Sequence, residues 1–353
     1  MKRIHSWGLS AIAALLLVAC GGGGDGDQGS RVKYTAMVSF GDSLSDVGTY
    51  AVSTIAAVGG GKYTVNGPAG KNWTELIAAQ IGVAAPCAAQ TGLNSIIPSI
   101  PAVPVTNHAG CYGYAQGGAR VTNPVGPQNI NTYPASPDGA LGQLTDPIVN
   151  QISRHLATVG GSFSGTELVT VLGGGNDVFM NLAALGAGLE TPTQAVTAMG
   201  TAGAELAAYI KTQIVAKGAT HVVVVNLPDV SQTPFAYSVD AQTQGLINTM
   251  VTTFNAQLAS GLSGTNGVLL VDAYTQGRAQ TANLAQYGIT NATVPACDFT
   301  LMIFASSLVC STSTLIAGDT SMYQFADTVH PTPYGYRLLA QYVAERMALN
   351  GWL

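Results

Sequence analysis

Val38-Ser39-Phe40-Gly41-Asp42-Ser43-Leu44-Ser45-Asp46 is an apolar run that stops abruptly in a glycine, an acid and a serine. Its first half belongs to a segment, Thr35–Phe40, with the side chains of a buried strand, and Gly41-Asp42-Ser43 reads as the turn that follows it. Similar runs recur. Leu168–Leu172 ends in Gly173–Gly175, His221–Asn226 holds four consecutive valines, and Val268–Val271 ends at Asp272. A weaker segment around Cys111–Ala115 precedes Gly117. Continuous valines without alternation mark strands covered on both faces. Helical spacing is expected between them, over Trp73–Ile81, Pro147–Val159, Thr193–Ala216 and Gln242–Leu262. A last helix carries Tyr336, Leu339, Ala340, Val343 and Met347, with Thr332 as its cap and Pro333 in its first turn. Strands alternating with helices predict an α/β protein with a parallel sheet between helical layers. In such sheets ligands gather beyond the carboxyl ends of the strands. Ser43, Gly118 and Asn176 each follow an expected strand, so all three should meet on one edge.

Asp327-Thr328-Val329-His330-Pro331 supplies, near the other end of the chain, an acid and a histidine three residues apart. A serine hydroxyl is a weak nucleophile without a base within hydrogen-bond reach. His330 can take the proton of Ser43, and Asp327 can hold the other ring nitrogen and stabilise the imidazolium. Donors for a developing oxyanion are also present: the N–H of Ser43, a glycine N–H from Gly117 or Gly118, and the side-chain amide of Asn176. Each motif alone could have a plain structural role: a turn serine, a surface acid–histidine turn, an Asx turn at Asn176. Ser45 is the rival nucleophile, and Asp42, Asp46 and Asp177 fit structural anchors of the loops. His108 and His155 have no acid at a telling spacing and read as surface or loop residues; His221, opening a strand, reads as structural.

Four blocks together resemble the GDSL, or SGNH, hydrolases. They are Gly41-Asp42-Ser43-Leu44, Tyr114-Ala115-Gln116-Gly117-Gly118-Ala119-Arg120, Gly174-Gly175-Asn176-Asp177 and Asp327-Thr328-Val329-His330-Pro331-Thr332. Gln286-Tyr287-Gly288-Ile289-Thr290-Asn291, followed by Cys297 and Cys310, is similar to the larger lipase and esterase branch of that family. The resemblance implies a flavodoxin-like α/β/α sandwich with a central parallel sheet of about five strands. It further implies a metal-free and cofactor-free Ser–His–Asp mechanism on Ser43, His330 and Asp327, with Ser43, Gly118 and Asn176 as the oxyanion hole. One departure is Gly113, where family members often carry asparagine.

Residues 1–19 read as a leader: Lys2 and Arg3 are followed by an apolar stretch too short to span a bilayer comfortably. Leu17-Val18-Ala19-Cys20 resembles a lipobox, so Cys20 is expected to carry lipid and associate the protein with a membrane. The Gly-rich residues 20–30 should act as a tether, leaving 31–353 as a single domain. The expectation is an exported monomer: a bacterial outer-membrane lipoprotein facing periplasm or cell surface, or a secreted protein. Charged residues make up only 9% of the chain, the formal net charge is −5, and no arginine-rich run occurs, which excludes nucleic acid as a partner. Cys87, Cys111, Cys297 and Cys310 form an even set, which in an exported chain implies two disulfides. Three pairings are open; Cys87–Cys111 and Cys297–Cys310 are expected because each closes one local loop. Two long irregular stretches, 84–137 and 273–326, contain apolar runs such as Phe299–Phe304 and are candidate walls of an acyl pocket.

The function expected is hydrolysis of a small-molecule or lipid carboxylic ester through an acyl-enzyme. Phospholipase or acyltransferase action, with an alcohol in place of water, is the alternative. A metal hydrolase on Asp42, Asp46, Asp327 and His330 lacks further histidines beside an acid. An inactive binding module on the same fold would not need the intact set of nucleophile, base, acid and donors.

Overall fold

The apolar runs form the strands, and their pairing sets the position of everything else. In a computed structural model that describes residues 32–132 and 136–353, the strands are β1 (Met37–Gly41), β2 (Gln90–Leu93), β3 (Val103–Asn107), β4 (Leu168–Leu172), β5 (His221–Val225) and β6 (Val268–Val271). The helices are α1 (Ser53–Ala56), α2 (Trp73–Gln80), α3 (Ile148–Thr158), α4 (Gly175–Gly186), α5 (Pro192–Tyr209), α6 (Pro234–Tyr237), α7 (Ala241–Leu262), α8 (Ala273–Ala282) and α9 (Pro333–Leu349). The expected leader, Cys20 and the tether lie outside the described residues.

β1, β4, β5 and β6 form one parallel sheet in that order. The weaker segment expected around Cys111–Ala115 lies on the far side of β1, as a single parallel bridge between Ser39 and Gly113. Ser39 N–H donates to Tyr112 C=O and Tyr114 N–H to Ser39 C=O, so this fifth segment is real but too short for a ladder. The chain thus leaves β1 first to one side and then to the other. The carboxyl end of β1, where Ser43 sits, is the switch point at which open α/β sheets place their sites.

Alternate side chains of each strand enter different cores. Phe40, Val171, Val222 and Val224 pack with α3, α5 and α7 on one face. Met37, Leu172, Val223, Val225 and Val271 pack with α2 and α9 on the other. The four valines of β5 are therefore covered on both sides, as their composition required. The α2 start is fixed by a capping box between Asn72 and Glu75. Thr332 caps α9 through Gly335 N–H, with Pro333 in the first turn, as expected.

The long stretches are more ordered than their sequence suggests. Residues 84–137 contain the β2–β3 hairpin, and 273–326 begins with α8. Both disulfides take the local pairing, Cys87–Cys111 and Cys297–Cys310. Ile97, Ile100, Val103, Met302 and Phe304 from the two stretches pack together with Tyr50, Ile55 and Leu308 in a separate small core. Among the described residues no helix is long and apolar enough to cross a membrane.

His155 departs from the surface position expected of it. It is 1% exposed on α3, ringed by Phe40, Tyr112, Tyr114 and Phe163. Neither ring nitrogen has a hydrogen-bond partner among the described residues. Burial among these rings lowers its pKa from 6.5 to about 4, against a small opposing pull from Glu167. Below pH 6.5 the unfolded chain binds a proton that the folded one refuses, so stability should fall from there until pH passes about 4. The loss is about 3 kcal/mol by linkage. His155→Phe should remove this segment of the acid limb in urea unfolding followed against pH; an unchanged slope would show that His155 is not its source.

Candidate active site

Ser43 follows β1 directly, and its orientation comes from the turn around it. Asp42 Oδ1 accepts from Leu44 N–H at 3.0 Å, and Ser45 N–H donates back to Asp42 C=O. Asp46 is buried and accepts from three N–H groups: Gly48 at 2.8 Å, Thr49 at 2.7 Å and Gly117 at 2.9 Å. Ser45, the rival nucleophile, is fully buried and takes a hydrogen bond from Trp73 Nε1. Its role is packing.

The Asp327–His330 turn builds itself from the spacing of three. Asp327 Oδ1 accepts from Val329 N–H at 2.9 Å and His330 N–H at 2.8 Å, which curls the chain back over the carboxylate. The loop is closed by Ala326 N–H donating to His330 C=O. His330 Nδ1 then lies 2.9 and 2.8 Å from the two Asp327 oxygens, while Nε2 lies 2.8 Å from Ser43 Oγ. A carboxylate on Nδ1 selects the tautomer with its proton there, leaving Nε2 to accept from the serine.

Two buried acids lie near this imidazole, and their carboxyls are shifted in opposite directions. Burial alone raises an aspartate, but beside His330, and with hydrogen bonds from Ser307 and Val329, the Asp327 carboxyl is held well below the usual carboxylate range. Asp42 has fewer donors, and burial pushes it up to about 7. Asp327 is thus the acid kept ionised beside the ring.

The donors expected for an oxyanion converge here as well. Ser43, Gly118 and Asn176 all line one cleft of about 400 Å³ together with Asp327 and His330. Gly117 does not line it, and its N–H is already given to Asp46. The N–H groups of Ser43 and Gly118 have no partner among the described residues. Gly118 sits at φ +78°, where a side chain is strained, and a Cβ there would press on Thr145 Cγ2 at 2.6 Å. Gly117 is a glycine for space, since a Cβ would lie 2.1 Å from the Tyr63 hydroxyl oxygen. Asn176, in the first turn of α4, gives one amide hydrogen to Ala119 C=O at 2.8 Å and keeps the other. Asp177 ties the same helix to the glycine loop through Arg120 Nε at 2.9 Å and Val121 N–H at 3.1 Å. Gly113, which departs from the family pattern, is squeezed between Val47 and the Cys87 carbonyl, where an asparagine would not fit.

A family model for the GDSL-like lipases and acylhydrolases matches residues 37–343. The chain belongs to this family. Membership supports acyl-ester hydrolysis as the class of activity and accounts for the blocks recognised in the sequence. Among solved structures, a carbohydrate acetylesterase from Sinorhizobium meliloti aligns at 14% identity with a TM-score of 0.40, over 90% of this chain and 99% of that one. No curated protein matches the sequence.

Several site features carry no motif. Tyr63 packs on His330 at a tilt of 33° with ring centroids 4.8 Å apart, and Gln143 Nε2 donates to its hydroxyl. Gln151 of α3 grips Gly41 from both sides, accepting from its N–H and donating to its C=O, each at 2.8 Å. Phe299–Phe304, expected in an acyl pocket wall, is absent from the cleft lining, which takes only Ala305 and Ser306 from that neighbourhood. α8 contributes Gln276 and Gln280 instead.

Gly117→Ala should destabilise the fold by about 1–3 kcal/mol, because overpacking against a buried, hydrogen-bonded phenol cannot relax cheaply. The unfolding midpoint measures it; a midpoint equal to that of the parent would mean that Tyr63 has room to move.

Proposed function

We propose that the chain is a serine esterase acting on uncharged carboxylic esters, with Ser43 as nucleophile, His330 as general base and Asp327 as the orienting acid. The observation that carries this is the unbroken chain from Asp327 through His330 to Ser43, with 2.8 Å at the serine end. Ser43 Oγ attacks the ester carbonyl while His330 Nε2 takes its proton. The N–H groups of Ser43 and Gly118 and the free amide hydrogen of Asn176 stabilise the tetrahedral oxyanion. Collapse expels the alcohol, which receives the proton from His330 and leaves an acyl-serine. Water, deprotonated by the same imidazole, attacks this intermediate; its collapse releases the acid and returns the proton to Ser43.

The lining supports the choice of substrate charge. Asp42, Asp138, Asp229 and Asp327 border the cleft, and no lysine or arginine does so among the described residues. Arg278, which reaches Asp229 from α8, is already paired with it. A phosphate headgroup would find no free counter-charge along these walls. Phe179, Leu227, Val230 and Phe235 offer an apolar wall, and Gln232, Gln276, Gln280 and Gln324 an uncharged polar one. A metal-based mechanism fits poorly, because Asp46 and Asp327 already spend their oxygens on N–H donors. Both disulfides suit an oxidising compartment, consistent with export. Lipid on Cys20 is part of the same proposal and is read directly by the mass of the mature N-terminal peptide.

Ser43→Ala should abolish turnover of p-nitrophenyl esters while leaving the unfolding midpoint unchanged, and a fluorophosphonate should label the parent at Ser43 alone. Substantial turnover by folded Ser43→Ala would reject the assignment. Asn176→Ala should lower kcat by about 10²–10³ with little change in KM, as expected for a donor that acts on the transition state. A phospholipid should be cleaved far more slowly than a neutral ester of equal acyl length; comparable rates would overturn the argument from charge.

A further inference from the structure

Tyr50 is fully buried seven residues beyond Ser43, and its hydroxyl donates to the Gly117 carbonyl at 2.8 Å. That carbonyl belongs to the same peptide unit as the Gly118 N–H. In a trans peptide the two groups point in opposite directions within one rigid plane. Whatever holds the carbonyl therefore aims the N–H. Two other groups complete the grip: Asp46 takes the Gly117 N–H at 2.9 Å, and the Tyr63 ring lies against the Gly117 Cα.

We propose that Tyr50 is a positioning residue for ester hydrolysis, aiming the Gly118 N–H at the oxyanion and strengthening it as a donor by polarising its peptide through the carbonyl. This rests on the assignment of Gly118 to the oxyanion hole. A donor on the carbonyl draws electron density from the amide nitrogen, and hydrogen bonds linked in this way reinforce one another by about 10–30% per bond. Desolvation holds the Tyr50 phenol well above its ordinary pKa, so it remains a donor throughout the working range of the enzyme. A buried tyrosine commonly finds some acceptor for its hydroxyl. Here the acceptor is the carbonyl conjugated to the unpartnered N–H of Gly118, a residue of the cleft lining.

The test is Tyr50→Phe in the full chain, with p-nitrophenyl butyrate turnover, the inhibition constant of a trifluoromethyl ketone and the unfolding midpoint measured together. The ketone forms a tetrahedral adduct with the serine and so reports on the oxyanion. A misaimed donor should cost less than a deleted one, so the expectation is a fall in kcat on the order of tenfold. KM should stay within about twofold, and the ketone should weaken by the same factor as kcat/KM. A purely structural role would lower the midpoint and leave kcat and ketone affinity of the folded protein unchanged; that result overturns the proposal. If Tyr50→Phe does not fold, 3-fluorotyrosine placed at position 50, a more acidic and stronger donor, should raise kcat, and an unaltered kcat would count against it. Failure here is distinct from failure of the esterase assignment, which shows instead as turnover by Ser43→Ala.

Discussion

The site depends on one close approach, that of Gly41 to the carbonyl of Leu172. The two residues are register partners at the carboxyl ends of β1 and β4, and a Cβ on Gly41 would lie 2.1 Å from the Leu172 oxygen. Gly41 has φ +151°, so a side chain would be strained there as well as blocked. Around this residue three separate pieces of chain are joined. Asp42 N–H reaches Leu172 C=O, Gln116 N–H reaches Gly41 C=O, and Gln151 bonds both polar groups of Gly41. The Ser43 turn, the glycine loop and the start of the Asn176 segment thus leave the sheet from a common point. Their convergence is set by register before any of their own side chains contribute.

Above that point, buried carboxylates do the joining. In a chain with 9% charged residues, burying acids is conspicuous, and those in the turns that carry Ser43 and His330 are matched to N–H donors. Asp46 binds the Ser43 turn to the glycine loop, and Asp177 binds that loop to α4. Asp327 folds its own turn and holds His330. Burial raises the Asp46 and Asp177 carboxyls against the pull of these donors, and leaving any of these groups unpaired in the interior would be costly. The donor geometry of the cleft is therefore maintained by the same contacts that stabilise the fold. The proposed esterase mechanism calls for such preorganisation, since its donors must be in place before charge develops.

The parts of this arrangement that were legible in the sequence are those with a local cause. Strand composition located β1, β4, β5 and β6, because an unbroken apolar run too short for a helix fits a strand buried on both faces. Thr332-Pro333 marked the start of α9, and the Asp327–His330 spacing anticipated a turn that closes on itself. Local ring size also led to the correct pairing of the four disulfide cysteines. What stayed hidden has a non-local cause. α4 begins inside Gly173–Gly175, where glycine propensity speaks against a helix, and packing against α5 and the sheet overrides it. His155 reads as a surface residue because nothing adjacent in sequence foretells the aromatic side chains around it. Tyr50, Tyr63 and Gln151 belong to no motif, since their partners lie 67, 80 and 110 positions away.

The apolar run Phe299–Phe304 shows how such a segment can serve the site without touching the substrate. Met302 and Phe304 anchor the small core shared with Ile97 and Ile100, and the Cys297–Cys310 disulfide closes the loop that contains them. Within that loop Ser307 N–H donates to Asp327 Oδ2 at 2.7 Å, and Cys297 N–H bonds Ala326 C=O, the residue before the acid. Ala326 itself packs with the two cysteines. The loop therefore adds a donor to the larger pull of His330 in lowering the Asp327 carboxyl, and fixes the backbone from which its turn springs. Asp42, buried as deeply but bonded only within its own turn and with no hydrogen bond to His330, is pushed up by burial to about 7.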